Sequence, residues 1–241
     1  MAERIRIQKA LSAAGVMSRR AAEEAISDGR VKVDGVVSIL GHRIDVTTQR
    51  LTLDDLPVVI DPEIETHLLY KPAGVVSTAD DPQGRPTVVD LVGSTRRLYP
   101  VGRLDMDSEG LILVSNDGEL TNRVTRPSHG ITKTYVALVE GVVTPATVRL
   151  LAGGVSLEDG PARAVSARVI DRHAGNSLVE LVMMEGRNRE VRRMMAAVGH
   201  EVLRLVRTAI GPITDHTLQP GESRLVGPDE VLKLLKSGIQ K

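Results

Sequence analysis

The chain has 241 residues, 41% of them hydrophobic, enough for one large domain or two modest ones with a real core. It has no cysteine, which excludes thiolate nucleophiles, zinc–thiolate sites and disulfides. Lys plus Arg and Asp plus Glu balance at 31 each, so net charge gives no argument for a polyanionic partner and the distribution of charge has to be read instead.

In chain order, residues 5–46 read as a compact helical module. "IRIQKALSAAG" puts Ile7, Ala10, Leu11 and Ala14 on one helical face, with Gly15 at the C′ position. Ser18 is placed to cap "RRAAEEAISDG". "RVKVDGVVS" predicts two short strands around an Asp-Gly turn. Residues 1–50 carry nine basic and six acidic side chains. Arg19 and Arg20 fall at a helix N-terminus, where the helix dipole disfavours cations. The polar, proline-containing stretch around 55–64 predicts a linker.

Beyond it, strands dominate. "THLLYKPAGVVST" predicts a strand and a turn, "GLILVSNDG" a strand into a turn, and "KTYVALVEG" an alternating strand. "TPATVRLLAGG" has Thr144 as N-cap and Pro145 at the first helical position. "NSLVELVMMEG" is a further strand, "NREVRRMMAAVG" a helix, and "HEVLRLVRTAIGP" leads into another strand. Residues 187–207 hold six arginines against two glutamates, a local anionic footprint or a solvated helix face. Strands and helices mix without regular alternation, so the expected class is α+β. No signal-peptide pattern and no apolar run of 18 residues occurs, so a soluble cytoplasmic protein is expected.

The stretch "VGRLDMDSEGLILVSND" sets Asp105, Asp107 and Glu109 at alternate positions. As a calcium loop it fails, because its twelfth position is Asn116 and it runs into a strand. His42, His67, His129, His173, His200 and His216 are scattered without the i, i+4 spacing of a helical zinc pair. No Gly-rich phosphate loop and no G-x-S-x-G elbow appears. What remains is carboxylate, arginine and tyrosine. Arg103 and Asp105 flank Leu104 and would share a face if the segment were a strand. An aspartate kept ionised by arginine can act as nucleophile or base; the bland reading of the same residues is a surface ion pair.

These segments carry a resemblance. "LYPVGRLDMDSEGLILVSNDGEL", "YKPAGVVSTADDPQGRPTVVDLV", "KTYVALVEG" and "EGRNREVRRMMAAVGHEVLRLVRTAIGPI" resemble, in order, the motifs of pseudouridine synthases of the RsuA/RluB type. "RIQKALSAAGVMSRRAAEEAISDGRVKVDG" resembles the S4 RNA-binding domain that this type carries. The resemblance spans about residues 4–235. It implies an S4-like domain over 1–60 and a mixed, mainly antiparallel-sheet catalytic domain over 61–241. It implies isomerisation of a uridine in ribosomal RNA, with large-subunit RNA slightly favoured, by a monomer that needs no metal and no cofactor. By position, Asp105 matches the catalytic aspartate and Arg103 the arginine of the same motif. Tyr135 matches the tyrosine that stacks on the target base, with Lys133 two residues before it. Arg192 best matches the arginine that pairs with the aspartate, with Arg187, Arg189 and Arg193 close by as RNA contacts. Lys9, Arg19, Arg20, Arg30 and Lys32 would give the S4-like module its phosphate contacts. Two departures stand out: Glu190, where the type often has glutamine, places a negative charge near an RNA-facing helix, and "DSEG" stands where a threonine commonly precedes the glycine. Asp107 and Glu109 have no catalytic counterpart and read as solvated loop or motif support. A non-catalytic RNA-binding assembly factor on the same fold is the alternative.

Overall fold

The computed structural model describes residues 4–59 and 63–238. The chain divides into two compact units, Met1–Ile64 and Glu65–Lys241.

In the first unit, β1 (Ile5–Arg6) leads directly into α1 (Ile7–Ala13), followed by α2 (Arg19–Ser27), β2 (Val31–Val33), β3 (Val36–Val37), β4 (Arg43–Ile44), β5 (Leu51–Leu53) and β6 (Leu56–Pro57). The Ser18 hydroxyl accepts from the Ala21 amide and caps α2. Asp34 and Gly35 both have positive φ, 49° and 81°, the geometry of a two-residue hairpin turn between β2 and β3. Ile7, Leu11, Ala22, Ile26, Val31, Ile44 and Leu51 form the core. The expected linker around 55–64 begins too early. Asp54 and Asp55, with φ of 50° and 65°, make a second tight turn, and β5 and β6 join β2 and β3 in a four-stranded sheet. Polar composition there reflects a hairpin turn rather than a tether. Residues 60–62 of the predicted linker lie outside the described residues.

The second unit comprises β7 (Thr66–Lys71), α3 (Val88–Val92), β8 (Tyr99–Val101), β9 (Glu109–Ser115), α4 (Gly118–Thr125), β10 (Lys133–Val139), α5 (Pro145–Gly153), β11 (Val155–Leu157), β12 (Gly160–Ala162), β13 (Ser166–His173), β14 (Asn176–Met183), α6 (Glu190–Ala197), β15 (Val202–Ile210), β16 (Ile213–Thr214), β17 (Ser223–Leu225) and α7 (Pro228–Lys236). Its main sheet runs β13-β14-β10-β15-β9-β7-β17, with β8 on β9 and β16 on β15. The fold is α+β and the sheet is mixed. Every pairing in it is antiparallel except β9 with β15, which run parallel and pair Glu109 with Val206 and Gly110 with Arg207.

That parallel contact depends on Gly110. Its φ is +104°, and a Cβ built there would lie 2.3 Å from the Arg207 carbonyl oxygen. Only glycine lets the two strands come this close. The consequence is positional: the loop before β9, which contains Asp105, is brought against the start of α6 and the strand β15.

One core cluster of this unit gathers Val139, Leu151, Val179, Leu181 and Met194; another gathers Leu69, Val88, Leu104 and Ile112. Tyr135 packs against both. It follows an irregularity in the β10–β15 register, between Thr134 and Tyr135, of the kind that re-aims a side chain.

Candidate active site

Asp105 lies in the loop between β8 and β9, not in a strand. The same-face rule for Arg103 and Asp105 therefore does not apply. The two residues come together for another reason: both line an open cleft of about 180 Å³ with Leu104, Ser108, Tyr135, Met183 and the segment Glu185–Val191. Both also line a neighbouring cavity with Ser77, Arg85 and Met106. They occupy the ridge between the two.

The loop is short on regular structure but not on hydrogen bonds. The Ser77 hydroxyl donates to the Leu104 carbonyl at 2.8 Å and accepts from the Leu104 amide at 3.1 Å. The Ser108 amide donates to the Asp105 carbonyl, and the Gly74 amide to the Met106 carbonyl. Arg192 Nη2 donates to the Asp107 carbonyl at 3.1 Å. Arg207, 4% exposed, directs Nη1 toward the Arg103 carbonyl at 3.5 Å and donates Nε to Leu111 O at 2.6 Å. Lys71 completes the set. Its ammonium donates to Ser108 O at 2.7 Å, Pro72 O at 2.9 Å and Met106 O at 3.4 Å. Each carbonyl from Arg103 to Ser108 is thus held, which fixes the backbone carrying Asp105.

Lys71 escaped the sequence analysis. A signal was present: it shares the inward face of β7 with Leu69, an unusual place for lysine. Burial lowers its pKa to about 8, against the opposing pull of Asp107, Glu109 and Asp105.

The arginines are arranged differently from the sequence expectation. Arg192 does not pair with Asp105. Its guanidinium lies 3.3 Å from Asp107 Oδ2 and donates to the Val202 carbonyl at 2.9 Å. Arg189 makes a two-pronged pair with Asp107, at 3.1 and 2.9 Å. Asp107 is therefore the clasp between the loop and α6, and its pKa is held down first by the Arg189 hydrogen bond. Glu109 is likewise bonded, to Arg204 at 2.8 and 2.7 Å. Both read as motif support, not as solvated loop. Among the described residues the Asp105 carboxylate has no hydrogen bond and no ion pair; Arg189 and Lys71 feel its charge from further away.

The expected RNA-contacting residues divide in the same way. Arg193 makes a two-pronged pair with Asp159. Arg187 contacts Asp159, the Pro161 carbonyl and Glu190. Lys133 donates to Val124 O and Ile131 O, and burial lowers its pKa to about 8, so its ammonium supports the start of its strand. Glu190 is turned inward. It is 5% exposed and accepts from the Arg187 amide and Nε, closing the turn that leads into α6. In the first unit, Arg30 is paired with Asp54 and Lys32 with Asp55. Lys9 and Arg19 line one shallow basic cavity with Arg4, Arg6 and Arg43, three residues the sequence analysis passed over. Arg20 is exposed outside that lining.

Residues 65–197 match the family model for RNA pseudouridylate synthases. The chain belongs to the RNA pseudouridine synthase family. Residues 5–47 match the S4 domain. The chain is 42% identical over 233 residues to the ribosomal large subunit pseudouridine synthase B of Bacillus subtilis, covering 95% of each. It is 46% identical over 238 residues to an uncharacterised RNA pseudouridine synthase of Mycobacterium tuberculosis, covering 97% of this chain and 94% of that one. A crystal structure of a pseudouridylate synthase superposes with a TM-score of 0.66 at 30% identity, covering 95% of this chain and 99% of that one. As a pseudouridine synthase, the protein is an enzyme acting on RNA, and its N-terminal unit contains an S4 RNA-binding domain. Among the described residues no helix is long and apolar enough to cross a membrane.

Proposed function

We propose that this pseudouridine synthase isomerises one uridine of large-subunit ribosomal RNA, with Asp105 as its reactive group. In the reaction the N1–C1′ bond breaks, the uracil turns, and C5 joins C1′. It is redox-neutral and consumes no donor. The observation that supports the assignment is the cleft itself: Asp105, unpartnered among the described residues, shares it with the aromatic ring of Tyr135 and with Arg103, on a loop whose carbonyls are fixed. Asp105 acts at the sugar of a uridine drawn out of the RNA. Tyr135 offers its ring to the extruded base. Flipping a base costs a few kcal/mol and stacking returns about 1–3. Phosphate contacts supply the remainder. Arg103 is exposed on the ridge and has no ion pair among the described residues, so it is free to meet the backbone of the RNA. Arg192 and Arg189 act through Asp107, setting the position of the loop.

The large-subunit preference rests on the relative from Bacillus subtilis, whose name specifies that RNA. The proposal includes a monomer working in the cytoplasm, and light scattering in solution tests the monomer. Tritium release from RNA labelled at uridine C5 tests the reaction. The protein should release tritium from large-subunit RNA and not from small-subunit RNA. Asp105→Asn should abolish release while leaving RNA affinity within a few-fold. Multiple turnover by that variant would refute the assignment of Asp105, and an inactive parent protein that binds both RNAs would favour an assembly factor.

A further inference from the structure

Two polar groups in the cleft lack partners among the described residues, and they lie three residues apart. Ser108 is 1% exposed, and its Oγ is buried with no hydrogen-bond partner among the described residues. Asp105 opens the turn that Ser108 closes, through the Ser108 amide and the Asp105 carbonyl at 3.0 Å. The carbonyls of the turn are all engaged by other donors, and none accepts from the hydroxyl. The Asp105 carbonyl is taken by the Ser108 amide, and the Met106 and Ser108 carbonyls are taken by Lys71, with the Gly74 amide also on Met106. The Asp107 carbonyl is taken by Arg192. A buried hydroxyl without a partner is unfavourable, and alanine would remove it at no loss of contact. Ser108 and Asp105 line the same cleft.

We propose that Ser108 is a positioning residue for Asp105: when RNA fills the cleft, the Asp105 carboxylate turns inward and accepts a hydrogen bond from Ser108 Oγ. The proposal rests on the assignment of Asp105 as the reactive group. The physical case is complementarity. A donor without an acceptor and an acceptor without a donor belong to one turn and line one cleft. The backbone below is fixed by Lys71, so the hydroxyl offers a stationary point to a side chain that otherwise has none. The bond would set the carboxylate's direction at the sugar, where a displacement of about 1 Å can cost 100-fold in rate.

The test compares Ser108→Ala and Ser108→Thr in the full chain, with kcat and KM from tritium release and Tm from thermal unfolding. Ser108→Ala should lower kcat about 10- to 100-fold with KM within about twofold. Its Tm should equal or exceed that of the parent, because the orphaned hydroxyl is gone. Ser108→Thr keeps the hydroxyl and should recover most of the lost rate. Parent-like turnover by Ser108→Ala overturns the proposal. So does a fall in Tm with Ser108→Thr impaired to the same extent as Ser108→Ala, which would make the side chain a packing element. A parent protein that releases no tritium overturns the functional reading and this proposal with it; an active parent with a fully active Ser108→Ala overturns this proposal alone.

Discussion

Replacing Lys71 by methionine should change how stability depends on pH. In the folded protein the Lys71 side chain is fully buried and its pKa is lowered to about 8, whereas an ordinary lysine titrates at 10.5. Between those values the unfolded chain binds a proton that the native chain does not. Stability contributed by this group therefore rises with pH across that window and is least below pH 8, where both states are charged. The gap is worth about 3 kcal/mol, and the slope within it approaches about 1.4 kcal/mol per pH unit. Lys133, lowered to the same value, adds a comparable effect of the same sign. Lys71→Met removes one of these two contributions, so the slope should fall to about half that of the parent. It also takes the donor from the Ser108 and Pro72 carbonyls, which costs about 1–3 kcal/mol per orphaned group. Near pH 7 the two effects offset, so stability should fall within about 2 kcal/mol of the parent. Activity should drop, because the loop carrying Asp105 loses its support. Tyr70, Tyr99 and Tyr135, the only tyrosines of a chain without Trp or Phe, all lie beyond residue 64, so tyrosine fluorescence during urea unfolding reports the catalytic unit alone. The assay is run from about pH 7 to 9.5, below the titration of Tyr70, which burial pushes up from 10.0. A parent protein whose stability is flat over that range, or a variant with the parent's slope, would refute the argument.

Gly110→Ala should destabilise the catalytic unit by at least about 3 kcal/mol, since its Cβ meets the Arg207 carbonyl and its φ is +104°; a parent-like melting curve would exclude the close parallel contact of β9 and β15. Asp107→Ala removes the clasp to Arg189 and Arg192, and because Asp107 and Arg189 are about half exposed, stability should change by no more than about 1 kcal/mol while kcat falls tenfold or more. Unaltered turnover would show that the clasp is not needed. Replacing Arg6, Lys9 and Arg19 together by alanine should cut the log–log salt slope of RNA binding by about two, at roughly 0.7 per phosphate contact. Replacing Arg30 and Lys32, which are already paired with Asp54 and Asp55, should change it less, as fluorescence anisotropy across a salt series will measure.

Much of the architecture is written locally in the chain. Ser18, Thr144 and Pro145 set helix starts because capping involves groups within three residues of each other. The Asp34-Gly35 turn and the alternation of "KTYVALVEG" specify a hairpin and a half-buried strand for the same reason. The ordered motifs also carried the family resemblance. Where local composition misled, a turn was the cause: the first residues of the expected linker, Asp55 to Pro57, belong to a hairpin. The partners of the charged groups were not legible. Arg189 and Asp107 are 82 residues apart, and Arg207 reaches back 96 residues to Leu111. Whether Arg192 meets Asp105 or Asp107 depends on how β9 registers against β15, and that register is set by the space at Gly110. The sequence determined which chemical groups the protein has and the local turns that present them. Tertiary structure alone decided which arginines pair with carboxylates, which lysine is buried beneath the loop, and that Asp105 has no partner among the described residues, because ion pairing falls off within a few ångströms and only folding brings such distant residues that close.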